Sequence, residues 1–289
     1  VTGTAGIGKS RLAREFVAML RSGGSPAEVW IARGDPMKAG SPYLLLGGAL
    51  RRAAGVLGAE PLEVRQQKLD SRVRRSAASS AAVGLVEFLG ELAGVKARGE
   101  PSVQLGAARR DRVLMGDQVR SAWLDFVAAE SSRHPLVLVL EDLHWGDLPS
   151  VALLDESLRL LADHPLFVLA LGRPEVLSLF PHLWAERGVC HLHLNELPPR
   201  ASERLVRDVL GPGVEAETVA RLVAVAGGNA FYLEELIRAV AAHSPQALPV
   251  TVVAMAQARL EELDAEARRI LRAGSVFGQV FWPGGVRAL

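Results

Sequence analysis

Near the start of the chain, Gly3-Thr4-Ala5-Gly6-Ile7-Gly8-Lys9-Ser10 spells G-x-x-x-x-G-K-S. In this pattern glycines let the backbone turn tightly, so that successive N–H groups point into one concave anion site. Lys9 is placed to reach β- and γ-phosphates, and the Ser10 hydroxyl to ligate Mg²⁺. Arg11 to Arg21 read as a helix, with Leu12, Phe16 and Leu20 spaced by four on one face. The N-terminus of that helix would aim its partial positive charge at the phosphates. Gly3, Gly6, Ile7, Gly8, Lys9, Ser10 and Arg11 are therefore the expected nucleotide-binding set. Such a loop hangs from the end of a buried strand, and only Val1 and Thr2 precede Gly3. The expectation is that the chain begins inside its own first strand.

A second element answers the first. Pro135 leads into Leu136-Val-Leu-Val-Leu140, followed by Glu141-Asp142-Leu143-His144-Trp145-Gly146-Asp147. An unbroken run of Leu and Val suits a strand buried on both faces of a parallel sheet. Acids at its C-terminal end stand where open α/β sheets bind ligands. This is the Walker B position, with Glu141 expected to hold Mg²⁺ through water and Asp142 to polarise an attacking water. His144 and Trp145 read as anchors of the loop.

Composition removes several alternatives. In 289 residues, 49% are hydrophobic and 22% charged, the proportions of an ordinary folded protein rather than a disordered or fibrous one. The single cysteine, Cys190, excludes a disulfide framework within the chain and fits a reducing compartment, hence a cytoplasmic location. No apolar run approaches the roughly 20 residues of a membrane helix. The net charge of +1 supplies no global field for nucleic acid or anionic lipid.

Between and after the two motifs, helices alternate with apolar strands. Val29 to Ala32 reads as a strand and Pro42 to Ala54 as an amphipathic helix. Glu63 to Ser76 and Ala82 to Leu92 read as helices of an insertion, in which Arg72, Arg74 and Arg75 mark a solvated face, with phosphate or nucleic-acid contact as the minority reading. Residues 99 to 110 read as a loop, and Met115 to Ser131 as a helix turning Val119, Trp123 and Phe126 towards the sheet. Ser150 to Ala162 is a helix, and Leu166 to Leu171 and Val189 to Leu194 are strands. The expected fold is α/β, a P-loop NTPase parallel sheet with helices on both faces. Cys190, His191 and His193 do not make a metal site, because alternate strand residues face opposite ways and no second ligand pair lies near. From Pro198 the pattern turns all-helical, with helices at 201–210, 214–226 and 230–242.

Taken together, these segments resemble the STAND class of P-loop ATPases, AAA-related modules of bacterial multidomain signalling and regulatory proteins. The resemblance rests on Gly3 to Ser10, Leu136 to Asp147, Leu166 to Glu175 and Gly227-Gly228-Asn229-Ala230-Phe231-Tyr232-Leu233-Glu234-Glu235-Leu236, together with Arg33-Gly34-Asp35-Pro36 through Ser41-Pro42-Tyr43. It implies that Arg173 is the sensor arginine near the γ-phosphate. It also implies that Asn229-Ala230 is the Gly-Asn-Pro motif of a helical lid, with Ala230 in place of a proline that would pack on the nucleotide. The acid pair, Glu-Asp here, departs from the Asp-Asp or Asp-Glu of the wider class. The shorter acid must reach further to water, so slow turnover is expected.

On this basis the core spans residues 1–197 and the lid 198–247. Residues 248–289, with helices at 249–263 and 265–273, begin a winged-helix domain. The implied function is an ATP-dependent conformational switch, with ATP/ADP and Mg²⁺ as cofactors and Lys9, Asp142 and Arg173 as catalytic residues. The implied partners are neighbouring domains, other proteins and, depending on nucleotide, further copies of the chain. Nucleic acid and membrane are not expected partners of this segment. Two other readings stand beside it: a nucleotide-bound interaction module without hydrolysis, and a DNA-engaging AAA ATPase.

Overall fold

A computed structural model of the chain describes residues 1–36, 41–76, 82–96, 99–241, 263–277 and 282–287. It divides into two units, Val1–Thr2 with Lys9–His193, and Gly3–Gly8 with Leu194–Leu289.

The first unit is built on parallel strands β1 (Glu28–Arg33), β2 (Leu136–Glu141) and β3 (Leu166–Ala170), in that spatial order. Thr2 then bridges in parallel to Gly172 on one side and His193 on the other. The first residues of the chain therefore lie beyond the third strand, a crossover arrangement typical of doubly wound sheets. The expected strand at 189–194 shrinks to this single bridge. There Thr2 N donates to Leu192 O at 2.8 Å, and no longer ladder forms among the described residues.

Side chains alternate across the sheet with the period of two that strands impose. Leu136, Leu138 and Leu140 of β2 enter the larger core with Trp30 and Ala32, while Val137 and Val139 enter a smaller one with Ala13 and Val17. The smaller core is covered by helix α1 (Lys9–Ser22). Ala13 and Val17 are its buried residues, with Phe16 and Leu20 beside them, while Leu12 is 38% exposed. Phe16 and Leu20 of the expected line thus face the sheet, Ala13 and Val17 complete the stripe, and Leu12 falls outside it.

On the other face lie α2 (Leu44–Ala53), α6 (Arg112–Ser131) and α7 (Leu148–Leu160). Val119, Trp123 and Phe126 of α6 are buried as expected, with the Phe126 ring stacked 5.6 Å from that of Trp30. Helices α3 (Leu62–Arg74) and α4 (Ala82–Ala93) form a further layer, α3 on α4 and α4 on α2 and α6. The stretch expected to be a loop contains a short helix, α5 (Val103–Ala108). Ser102 caps it by accepting from Leu105 N at 3.1 Å, Leu105 is fully buried, and the buried Glu87 carboxylate accepts Ser102 N at 2.9 Å.

Arg72 corrects the expectation for the basic run. It is buried at 5% exposure, its guanidinium paired with Glu28 and Glu130 and lying 5.6 Å from the centroid of the Trp30 ring. Leu69 and Val73, one helical turn and one residue away, share that inner face. Arg74 pairs instead with Asp70 along the exposed side.

In the second unit, α9 (Pro199–Leu210), α10 (Ala216–Ala226) and α11 (Ala230–Ala241), numbered after the four-residue α8 (Val176–Leu179), pack around Val206, Leu222, Leu233 and Leu236. Further on, a helix covers Ala265–Ser275, capped by Asp264, and a short one covers Pro283–Arg287. The helix expected over 249–263 lies outside the described residues except for Leu263. Among the described residues, no helix is long and apolar enough to cross a membrane.

Candidate functional site

The loop ahead of α1 has the backbone that its glycines allow. Gly6 and Gly8 take φ values of 77° and 109°, a region side chains rarely adopt. Between them Ile7 is buried, with its side chain against Gly3, where a Cβ would stand 2.8 Å from Ile7 Cγ2. Alternation of this kind turns successive N–H groups to one side and makes a nest for an anion. At the other end, Asn229 Nδ2 donates to Ala5 O at 3.0 Å and Phe231 N to Gly6 O at 2.9 Å. Ala230 opens α11, half-buried.

Lys9 and Ser10 form the first turn of α1. The Arg11 guanidinium pairs with Glu15 at 2.7 Å, one turn along the helix. Burial draws the Lys9 ammonium below the ordinary lysine value, Asp142 and Glu175 oppose that shift, and Arg173 adds to it. Glu141 ends β2 opposite Arg33 in the β1 register. Asp142 follows in the left-handed region at φ 52°, and its Oδ2 accepts Arg33 Nε at 3.0 Å. Gly34 permits this turn, since a Cβ there would lie 2.3 Å from Asp142 O. Asp142, Arg173 and Glu175 are thus brought within electrostatic reach of Lys9 at the start of α1. A hydroxyl at Ser10 and a carboxylate at Glu141 are hard oxygen donors that suit Mg²⁺.

His144 is buried and accepts Arg173 N through Nδ1 at 3.4 Å, so the anchoring role expected of it has a partner in the next strand loop. Burial holds its imidazole below the ordinary histidine value; Asp142 and Glu175 oppose this, while Arg173 and Lys9 add to it. A neutral ring keeps a lone pair for that bond. Trp145 packs its ring 5.1 Å from that of His144.

Three contributors were not singled out from the sequence. Arg33 and Glu175 carry charge into the site from loops that only the sheet brings near. Asp147 does more than cap α7: its carboxylate accepts Ser150 N at 2.8 Å, Ser150 Oγ at 2.9 Å, Tyr43 N at 2.8 Å and Leu45 N at 3.1 Å. The Asp-x-x-Ser spacing with Pro149 was a readable cap signal for α7, but nothing near it pointed to α2. Asp147→Ala should lower stability in urea unfolding by about 2–3 kcal/mol, because it strands several buried donors at once. Asp147→Asn, which keeps one acceptor oxygen, should recover about half of that loss.

Residues 1–169 match the AAA ATPase domain family. The chain belongs to that family. A solved structure of the Aeropyrum pernix Orc1 protein in complex with DNA is similar to this AAA ATPase domain, with a TM-score of 0.47 and 16% identity. The similarity covers 99% of this chain and 69% of that one. No curated protein sequence matches it.

Proposed function

We propose that this AAA ATPase domain binds ATP and ADP through Gly3 to Ser10 and works as a slow, nucleotide-driven switch within a larger signalling or regulatory protein. The observation that carries the reading is that Asp142 and Arg173, from the ends of two strands, both act electrostatically on Lys9 at the start of α1. In this reading Lys9 holds the β- and γ-phosphates. Arg173 stabilises charge that develops on the γ-phosphate. Asp142 orients water and takes its proton. Ser10 and Glu141 would hold Mg²⁺, which supplies charge neutralisation on the phosphate oxygens when bound. Exchange of ADP for ATP biases the module and hydrolysis resets it, the logic of other γ-phosphate switches. Its proposed partners are neighbouring domains of the same chain and other proteins.

A second reading, nucleotide binding without turnover, is favoured by one contact: Arg33 occupies Asp142 Oδ2, an oxygen that water activation needs. Single-turnover phosphate release separates the two. The switch predicts release by the wild type and about 100-fold slower release by Asp142→Asn, with ADP affinity retained. No release by the wild type over hours would leave the binding module.

A further inference from the structure

We infer that Asn229 is a positioning residue that latches the phosphate-type loop to the start of α11, acting through the loop backbone rather than on a nucleotide. Its side-chain amide is divided between two tasks. Oδ1 accepts Tyr232 N at 3.0 Å, capping the helix, and Nδ2 donates to Ala5 O at 3.0 Å. Two residues on, Phe231 N donates to Gly6 O at 2.9 Å. Consecutive loop carbonyls, Ala5 and Gly6, are therefore both held by the first turn of one helix. Gly6 is fitted to the latch, because a Cβ there would stand 2.5 Å from Asn229 Oδ1. Gly228, at φ 78°, delivers Asn229 to this place and is itself pressed against Glu196 and Leu197, where a Cβ would meet Glu196 Cβ at 2.7 Å.

The consequence follows from peptide planarity. In a trans peptide the C=O of one residue and the N–H of the next point in opposite directions. Holding Ala5 O towards Asn229 turns Gly6 N–H away from α11, and holding Gly6 O towards Phe231 does the same for Ile7 N–H. The latch thus sets two donors of the anion nest before any anion arrives, which lowers the ordering cost of binding. By linkage, an anion that steadies the nest also steadies the first turn of α11. The step to nucleotide affinity rests on the reading in the preceding section, whereas the latch itself does not.

The test uses the intact protein and the substitutions Asn229→Ser and Asn229→Asp. A serine hydroxyl still caps Tyr232 N but is too short to reach Ala5 O; an aspartate caps at full length but cannot donate. Hydrogen exchange of the amides of residues 3–8 without nucleotide, and ADP affinity by calorimetry, are read together. The expected result is faster exchange in the loop and about tenfold weaker ADP binding in both variants, with exchange in the middle of α11 and the thermal midpoint unchanged. Loop exchange equal to wild type in both variants would overturn the latch; faster loop exchange with ADP affinity equal to that of a wild type that binds would overturn its effect on nucleotide affinity. If the loop exchange rises while even the wild type binds no ADP, the latch stands and the nucleotide reading falls.

Discussion

Replacing Lys9 with alanine is expected to weaken ADP and ATP binding by about 100- to 1,000-fold, measured by calorimetry on the intact protein. The ammonium is the one formal positive charge in the Gly3 to Ser10 motif, and a phosphate chain offers it charge-assisted hydrogen bonds that water replaces poorly. Its partial burial strengthens this dependence, because burial already disfavours the charged form and an anionic ligand restores it. Folding should be almost untouched, since Lys9 sits in the first turn of α1 and the buried contacts of that helix are those of Ala13 and Val17. The wild-type thermal midpoint should therefore rise with added ADP by mass action, and that of Lys9→Ala should not. Lys9→Arg should not rescue, because a planar fork on a longer stem does not replace a compact ammonium. Tight ADP binding by Lys9→Ala would remove the loop from the mechanism.

The second large effect falls on stability. Arg72→Ala should cost about 3–5 kcal/mol in urea unfolding, by leaving a buried carboxylate without its counter-charge. Glu130 is 4% exposed, and once the guanidinium is gone the Ser76 hydroxyl is its remaining side-chain partner among the described residues. The same side chain lies over the Trp30 and Phe126 rings at 5.6 and 6.0 Å, so truncation also opens a gap in packing. Arg72 joins α3 to β1 through Glu28 and to α6 through Glu130, and its loss should loosen the insertion from the sheet. Combining Arg72→Ala with Glu130→Gln should recover a large part of the loss, since the amide is cheaper to bury than an unpaired carboxylate. A double variant no more stable than Arg72→Ala would show that packing, and not charge, sets the cost. ADP affinity of the folded protein should be the same in both.

How much of this could be read in advance depended on distance along the chain. Gly3 to Ser10 and Leu136 to Asp147 are contiguous, and each carries its own geometric reason: glycines for a nest, a doubly buried strand for an acid at its end. Arg72 misled because a cluster of arginines on a helix resembles a solvated face. Its spacing from Leu69 and Val73 was the signal that it points inward, and only the positions of Glu28 and Glu130 make that tolerable. Helix α5 was missed because six residues are too few to show a period, and its stability comes from Glu87 and a buried Leu105 rather than from its own pattern.

Most elements were legible locally: a parallel sheet from apolar runs, the longer helices from their periods, a phosphate-type loop from three glycines and a lysine. These depend on interactions within a few residues, where residue type and backbone preference act directly. Which distant groups finish the site depends on how whole elements pack. Arg33 meets Asp142 across 109 residues because β1 and β2 pair in one register. Asn229 meets Ala5 across 224 residues because a glycine turn delivers the start of α11 to the loop. A hydrogen bond has a reach of about 3 Å, so such partners are set by the packing of whole elements, to which no local pattern points.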